Sequence, residues 1–225
     1  MLLCVFGQPL RILNFHKDPI SSMNKLLTKS IETVTEFYDK RKVGDIGPLG
    51  FRRSTDMKTL LACLSRLLDD KILDPHTTRF LDLGCADGRV NILLSYLARV
   101  SIGIELDEWT LDEYGTLRSE LEEVLKNKGL LLPQENIFLF HGDATDEDIH
   151  RKIAREANTS FEEIDIFYTY LVMHDEFARL IAKKAKKGAI FMVYGLDKIL
   201  PKYRGLSLLE DISPLEGILG IYRKE

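Results

Sequence analysis

The stretch that decides the fold runs from Arg79 to Asp107 and reads RFLDLGCADGRV, then NILLSYLAR, then VSIGIELD. An apolar run of strand length leads into a glycine turn, then a helical segment, then a second apolar run that ends in acids. This order predicts the strand–turn–helix–strand unit of a doubly wound sheet, whose ligands bind beyond the carboxyl ends of the strands. The turn therefore marks the predicted ligand site.

The glycine turn, residues 84–88, has the spacing G-x-A-x-G. The fingerprint of nicotinamide and flavin sites is G-x-G-x-x-G, whose third glycine would fall at position 89, where this chain has Arg89. Two acids, Asp82 and Asp87, stand beside the turn. They would repel the diphosphate of a dinucleotide, and they suit a ligand with a positive centre and an ammonium group.

The sequence DLGCADGR resembles the first motif of the class I methyltransferases, which use S-adenosylmethionine; Ala86 stands where that family often has glycine. The resemblance implies that Glu105, at the end of the second strand, accepts charge-assisted bonds from the ribose hydroxyls. It also implies that Leu106 contacts the adenine, and that Asp143 and Ala144 bind its amine and a ring nitrogen. The expected cofactor-binding residues are Asp82, Gly84, Cys85, Ala86, Asp87, Gly88, Glu105, Leu106, Asp143 and Ala144.

Strands and helices alternate along the rest of the chain. Apolar runs predict strands at 136–140, 164–171 and 189–194, and helical spacing predicts helices at 109–128, 145–157 and 175–187. This alternation implies a parallel sheet with helices on both faces. The tail has two more apolar segments, 207–212 and 217–222, which the resemblance implies to be an antiparallel hairpin at one edge. The predicted fold is α/β, a doubly wound, mostly parallel, seven-stranded sheet.

A helical extension is expected before the sheet. Helical spacing covers residues 23–42 and 55–73, with a Gly/Pro loop at 44–50, while residues 1–20 form an arm whose role stays open. In the family such an extension closes over the cofactor, so Phe51 and Arg52 are candidate substrate-binding residues. The expected domains are therefore 1–75, the arm and helical extension, and 76–225, the Rossmann-like S-adenosylmethionine-binding catalytic domain.

The methyl acceptor is expected beside the turn after the fourth strand. Tyr170 is a candidate to orient an amine, and His174 is a candidate general base. Adenine and glutamine N-methyltransferases carry Asn/Asp-Pro-Pro-Tyr at this place, whereas this chain has YLVM from Tyr170 onward, which argues against amide or base-amine acceptors. Residues 79–195 resemble, loosely, the small single-domain protein-lysine methyltransferases.

Composition and charge narrow the classes of partner. The net charge of −4 argues against broad nucleic-acid binding, and the lysines at 183–187 are interpreted as a solvated helix end. No apolar run is long enough for a membrane span, and no His, Cys or acid cluster has the spacing of a metal site. Three scattered cysteines, Cys4, Cys63 and Cys85, indicate a reduced, cytoplasmic location. The oligomeric state stays open.

The expected function is an S-adenosylmethionine-dependent methyltransferase that transfers a methyl group by in-line displacement. Its acceptor is a protein side chain such as lysine, or a small molecule. One alternative is a non-catalytic S-adenosylmethionine-binding or regulatory protein. A second, an NAD-dependent oxidoreductase, has Arg89 and the Gly-Asp-Ala turn against it. Aminopropyl transfer ranks lower, because the fourth strand has no D-x-x-D acid pair.

Overall fold

The computed structural model describes residues 25–41, 43–47, 50–52, 54–196 and 200–225, with side chains in all of these except 43–47 and 50–52. Its α-helices are α1 (Lys25–Asp39), α2 (Met57–Asp69), α3 (Arg89–Ser95), α4 (Glu108–Asn127), α5 (Glu147–Glu156) and α6 (His174–Lys184). A 3-10 helix spans Phe161–Glu163. The strands are β1 (Val43–Gly47), β2 (Gly50–Arg52), β3 (Arg79–Leu83), β4 (Val100–Glu105), β5 (Ile137–His141), β6 (Ile166–Tyr170), β7 (Ile190–Tyr194), β8 (Leu206–Leu208) and β9 (Leu219–Lys224).

The main sheet has seven strands in the order β5-β4-β3-β6-β7-β9-β8. The strands from β3 to β7 pair in parallel, and β9 pairs antiparallel with both β7 and β8. The chain moves outward from β3 to β5 and then returns to place β6 on the other side of β3, which makes a topological switch point between β3 and β6. Ligands of such sheets bind at that point. The predicted fold, including the edge hairpin of the tail, is confirmed.

Two apolar layers cover the sheet, because successive strand residues point to opposite faces. Phe80 and Tyr168 join the cluster that contains the buried faces of α1, α2, α3 and α4. Leu81 and Phe167, their chain neighbours, join the cluster formed with α5 and α6. The helices of the N-terminal extension thus share a hydrophobic core with the sheet. None of the helices in the described part of the chain is long and apolar enough to cross a membrane.

The prediction of a loop over residues 44–50 is wrong, because β1 and β2 form an antiparallel pair there. Glycine and proline are depleted in strands, so their density in this segment favoured a loop. The register is irregular between Val43 and Gly47, which is where the alternating pattern of a strand is lost. Phe51 and Arg52 lie in β2, and their side chains fall outside the described residues, as does the arm of residues 1–20.

Candidate functional site

A cavity of about 600 Å³ opens at the carboxyl ends of β3, β4, β5 and β6. Its walls come from the glycine turn after β3, the end of β4, the turn after β5 and the segment between β6 and α6. This is the switch point at which a doubly wound sheet binds ligands. The cavity brings together these residues from the sequence prediction: Gly84, Ala86, Glu105, Leu106, Asp143, Ala144 and Tyr170.

The glycine turn is fastened to the end of β4 by one carboxylate. Glu105 is 8% exposed; its Oε2 accepts a hydrogen bond from the Ala86 N–H (2.9 Å), and its Oε1 accepts one from the Asp107 N–H (2.9 Å). Ala86 has a left-handed backbone with φ of 50°, which costs a non-glycine residue about 1–2 kcal/mol. Strained backbone of this kind clusters at ligand sites, where surrounding bonds hold it in place. A carboxylate oxygen can accept more than one hydrogen bond, and Glu105 lines the cavity.

A second carboxylate lies in the turn after β5. Asp143 Oδ1 accepts bonds from the Thr145 N–H and hydroxyl, both at 2.8 Å. These bonds lower the pKa of Asp143 below its usual value, so the group is charged at neutral pH. Both bonds go to Oδ1, which leaves Oδ2 to accept from a ligand. Glu105 and Asp143 are the two acidic side chains in the described wall of the cavity.

A smaller cavity of about 60 Å³ adjoins the glycine turn on its other side and includes Asp82, Cys85 and Tyr168 in its walls. Asp82 is 1% exposed, and its Oδ1 has no hydrogen-bond partner within the described part of the chain. Burial raises the pKa of the Asp82 carboxyl group well above its usual value, and the nearby carboxylates of Glu105 and Asp87 raise it further. A buried carboxyl group without a partner is costly, and a cationic ligand would supply the missing bond.

The structure does not bring Asp87 to either cavity. Its carboxylate forms a buried ion pair with Arg89, whose Nη2 lies 2.8 Å from Oδ2 and whose Nε lies 3.0 Å from Oδ1. The guanidinium also lies 5.4 Å from the centre of the Tyr38 ring of α1. Gly88 is likewise enclosed, because a Cβ there would fall 2.7 Å from the Tyr114 ring. Asp87 and Gly88 therefore pack against the rest of the protein and do not line either cavity.

The two candidate catalytic residues are placed differently. Tyr170 lines both cavities, and its ring packs against Tyr194 with 5.7 Å between centroids. His174 lines neither cavity. Its Nδ1 lies 2.7 Å from the Tyr203 hydroxyl oxygen, within hydrogen-bonding distance, and their rings meet edge to face. The structure therefore brings Tyr170, but not His174, to the ligand site.

Eight residues in the described wall of the larger cavity were not among the candidate site residues: Leu83, Ile104, Gly142, Thr169, Leu171, Val172, Met173 and Phe177. Thr169 donates its hydroxyl to the Leu83 carbonyl (2.9 Å) and so joins β6 to β3 at the cavity floor. Val172, Met173 and Phe177 form an apolar wall after β6. Val172 and Met173 could have been identified from their place in the sequence, because they directly follow the predicted strand 164–171, which ends at the switch point. Phe177 had the pattern of an ordinary helix core position and gave no such signal.

No group of three or more His, Cys, Asp or Glu that could hold a metal ion occurs among the residues that the structure describes. The described wall of the larger cavity instead combines apolar side chains with the carboxylates of Glu105 and Asp143. An arrangement of this kind suits an uncharged or cationic organic ligand with several hydrogen-bond donors.

No protein-family model and no curated protein sequence matches the chain. Among solved structures, an RNA methyltransferase from Salinibacter ruber in complex with S-adenosyl-L-homocysteine is similar with a TM-score of 0.48 and 16% identity, over 77% of this chain and 92% of that one. The putative methyltransferase yhhF from Escherichia coli has a TM-score of 0.48 and 17% identity, over 82% of this chain and 97% of that one.

A third similar structure is the O-methyltransferase TomG from Streptomyces achromogenes in complex with SAM, with a TM-score of 0.43 and 18% identity, over 79% of this chain and 70% of that one. The fold assignment itself rests on the strand order, which has the parallel switch point of a doubly wound sheet and an antiparallel strand pair at one edge. The chain therefore has a doubly wound, mostly parallel α/β sheet with an antiparallel strand pair at one edge, as its sequence predicted.

Proposed function

We propose that this chain is an S-adenosylmethionine-dependent methyltransferase. The observation that carries the proposal is a row of three carboxyl groups, Asp82, Glu105 and Asp143, at the ends of three neighbouring strands. Among the described residues, one buried oxygen of Asp82 has no hydrogen-bond partner. The proposed ligand offers a donor to each: an ammonium group to Asp82, a ribose diol to Glu105 and an adenine amine to Asp143. Leu106 and the Ala144 N–H complete the adenine site in this proposal.

Charge supports this ligand over a dinucleotide. Glu105 and Asp143 line the larger cavity, and Asp82 lines the smaller cavity at the same turn, so a diphosphate would meet carboxylates at close range. Position 89, where a dinucleotide fingerprint has its third glycine, is occupied by Arg89, and its side chain is used in the ion pair with Asp87. The same anions disfavour the phosphate backbone of a nucleic acid as the acceptor, which leaves a protein side chain or a small molecule.

The residues of the chain would bind and orient the reactants. Bound S-adenosylmethionine supplies an electrophilic sulfonium methyl group, so the protein needs no nucleophile of its own. Val172, Met173 and Phe177 offer an apolar wall next to Tyr170 that bound reactants would cover, and Tyr170 can hold the acceptor by its hydroxyl. We place the acceptor at this wall because it lies at the switch point, beyond the end of β6.

The extension before the sheet is proposed to form the acceptor side of the site. Thr55, just before α2, lines the smaller cavity, and its hydroxyl oxygen lies 2.7 Å from that of Tyr168 in β6. The β1–β2 pair immediately precedes this point in the chain. We therefore keep Phe51 and Arg52 of β2 as proposed substrate-binding residues, and we keep residues 1–75 as a proposed lid and substrate region.

A non-catalytic S-adenosylmethionine-binding protein is the second candidate. One observation favours it: His174, the candidate general base, is engaged with Tyr203 rather than with the cavity. Both candidates bind the same ligand and differ in transfer alone. Incubation with methyl-labelled S-adenosylmethionine and two acceptor pools, peptides and small-molecule metabolites, separates them. Label in either pool supports the methyltransferase, and label in neither, despite cofactor binding, supports the second candidate.

Tyr170→Phe tests the proposed role of the Tyr170 hydroxyl. We expect turnover on the acceptor found above to fall about tenfold, the scale of one hydrogen bond of about 1.4 kcal/mol, because the variant keeps the ring but loses the donor. The dissociation constant of S-adenosylhomocysteine should stay within about twofold of wild type. Tyr194→Phe is the matched control, since its hydroxyl bonds weakly to the Asp56 carbonyl (3.4 Å). Unchanged turnover in Tyr170→Phe would refute the role.

A further inference from the structure

A buried histidine lies directly behind the turn after β5. His150, in the first turn of α5, is 5% exposed, and its Nε2 lies 2.9 Å from the Ala144 carbonyl oxygen. Its other ring nitrogen, Nδ1, lies 3.1 Å from Lys184 Nζ on α6. A lysine ammonium group can only donate, so Nδ1 must accept and Nε2 must carry the proton. The imidazole therefore donates to Ala144 in one defined tautomer.

The turn is fixed to α5 at two adjacent points. Gly142 packs so closely on Ile149 that a Cβ there would fall 2.9 Å from the Ile149 side chain. The Gly142 N–H also donates to the Glu105 carbonyl (2.9 Å), which joins the turn to β4. Two residues later His150 holds the Ala144 carbonyl. The Ala144 backbone is thus oriented by a buried side chain, in the residue whose N–H is proposed to bind an adenine ring nitrogen.

The groups around His150 keep it neutral. Burial lowers the pKa of His150, and the Lys184 ammonium group lowers it too, against the opposite effects of the Ala144 bond and of Glu147 and Glu162. Glu147 lies on the same helix as His150, and Lys184 faces the imidazole ring from α6. Glu162 lies in the 3-10 helix, and the centre of the Phe161 ring lies 4.5 Å from the centre of the imidazole ring. The net shift is downward, so the neutral tautomer persists at pH 7.

We propose that His150 is a positioning residue for purine recognition, and that it sets the preference of the site for adenine over hypoxanthine. The proposal rests on the proposed function, because it needs an adenine to meet the Ala144 N–H. The Ala144 N–H donates to a ring nitrogen that accepts in adenine and carries a proton in hypoxanthine. His150 holds the peptide group between Ala144 and Thr145, which adjoins the peptide group that carries the Ala144 N–H. An Ala144 backbone held in this way favours adenine, and a loosened backbone loses that preference.

Two substitutions of His150 each keep one of the two hydrogen-bonding contacts of the imidazole and remove the other. His150→Gln places an amide nitrogen near the Nε2 position and can keep the bond to the Ala144 carbonyl. His150→Asn reaches only the Nδ1 position, so it can keep the Lys184 contact but not the Ala144 bond. The two variants are matched in polarity, and each keeps one of the two contacts, so their comparison separates the Ala144 bond from the Lys184 contact.

The measurement is the ratio of the dissociation constants of S-inosylhomocysteine and S-adenosylhomocysteine, obtained by calorimetry for wild type and both variants. We expect His150→Asn to lower this ratio about tenfold and His150→Gln to keep it within about twofold. A general loosening of the fold would weaken both ligands equally and leave the ratio unchanged. If the wild-type chain binds S-adenosylhomocysteine and His150→Asn leaves the ratio unchanged, the proposal for His150 is overturned. The proposed function would then still stand.

Failure of the wild-type chain to bind S-adenosylhomocysteine would overturn the proposed function itself, and this inference with it. Should His150→Asn fail to fold, Lys184→Met takes its place in the same titration. That variant keeps the imidazole but removes the donor that fixes its tautomer, so the ratio should fall about threefold. Lys183→Met, at the neighbouring position of α6, is its control, and an unchanged ratio in Lys184→Met would overturn the proposal.

Discussion

The Glu105→Gln variant should bind S-adenosylhomocysteine about a hundredfold more weakly than wild type, a loss of about 3 kcal/mol. One carboxylate has three tasks in this site. It accepts the Ala86 N–H, which holds a strained residue of the glycine turn, it accepts the Asp107 N–H, and it is proposed to accept the ribose diol. The amide has the same shape, but its nitrogen cannot accept, so at least one of these bonds becomes a repulsive donor–donor contact.

Calorimetry measures this loss directly, and urea denaturation establishes that the variant is folded. Glu108→Gln is the matched control, because Glu108 is an exposed acid three positions further along the chain, at the start of α4. It should bind the ligand within about twofold of wild type, since exposed charges near a helix end contribute only tenths of a kcal/mol. Equal affinity of Glu105→Gln and wild type would place the ligand elsewhere.

Arg89→Met should lower the free energy of unfolding by about 4 kcal/mol, because it leaves the Asp87 carboxylate buried without its partner. The side chains of both residues are almost completely inaccessible, at 4% for Arg89 and 1% for Asp87. A buried ion pair adds little to stability when compared with apolar side chains, but removing one partner costs about 3–5 kcal/mol. The loss of the guanidinium beside the Tyr38 ring adds to the effect.

The double variant Asp87→Ala/Arg89→Met should recover at least half of that loss, because it removes the uncompensated charge. Arg99→Met, an exposed arginine after α3, is the control and should change stability by less than about 0.5 kcal/mol. Urea denaturation of the four proteins, wild type included, checks these values. If Arg89→Met is as stable as wild type, the ion pair of Asp87 and Arg89 is not needed for stability. A loss of ligand affinity in the folded double variant would return Asp87 to the binding site.

The parts of the site that follow from sequence are those set by short stretches of chain. The turn of residues 84–88 and Glu105 lie in one strand–turn–helix–strand unit, with the turn after the first strand and Glu105 at the end of the second. Their separation along the chain therefore determines how they are arranged in space. The same holds for Asp143, which lies two residues beyond the end of β5. Parallel pairing then places these strand ends side by side, and the cavity follows from topology.

The parts that sequence did not yield depend on partners far apart in the chain or on side-chain direction. His174 meets Tyr203, 29 residues away, and no local pattern indicates that pairing. Asp87 and Arg89 are neighbours in sequence, but only the fold shows that both side chains turn into the protein. His150 is not a candidate from the sequence, and its contact with Lys184 of α6 joins residues that are 34 positions apart in the chain.

The most direct measurement is a calorimetric titration of the purified chain with S-adenosylhomocysteine, 5′-methylthioadenosine and NADH. S-Adenosylhomocysteine should bind with micromolar affinity. 5′-Methylthioadenosine should bind about tenfold or more weakly, because it lacks the ammonium group that Asp82 is proposed to bind. NADH should not bind. Binding of NADH alone, or of none of the three, would contradict the proposal that this cavity is an S-adenosylmethionine site.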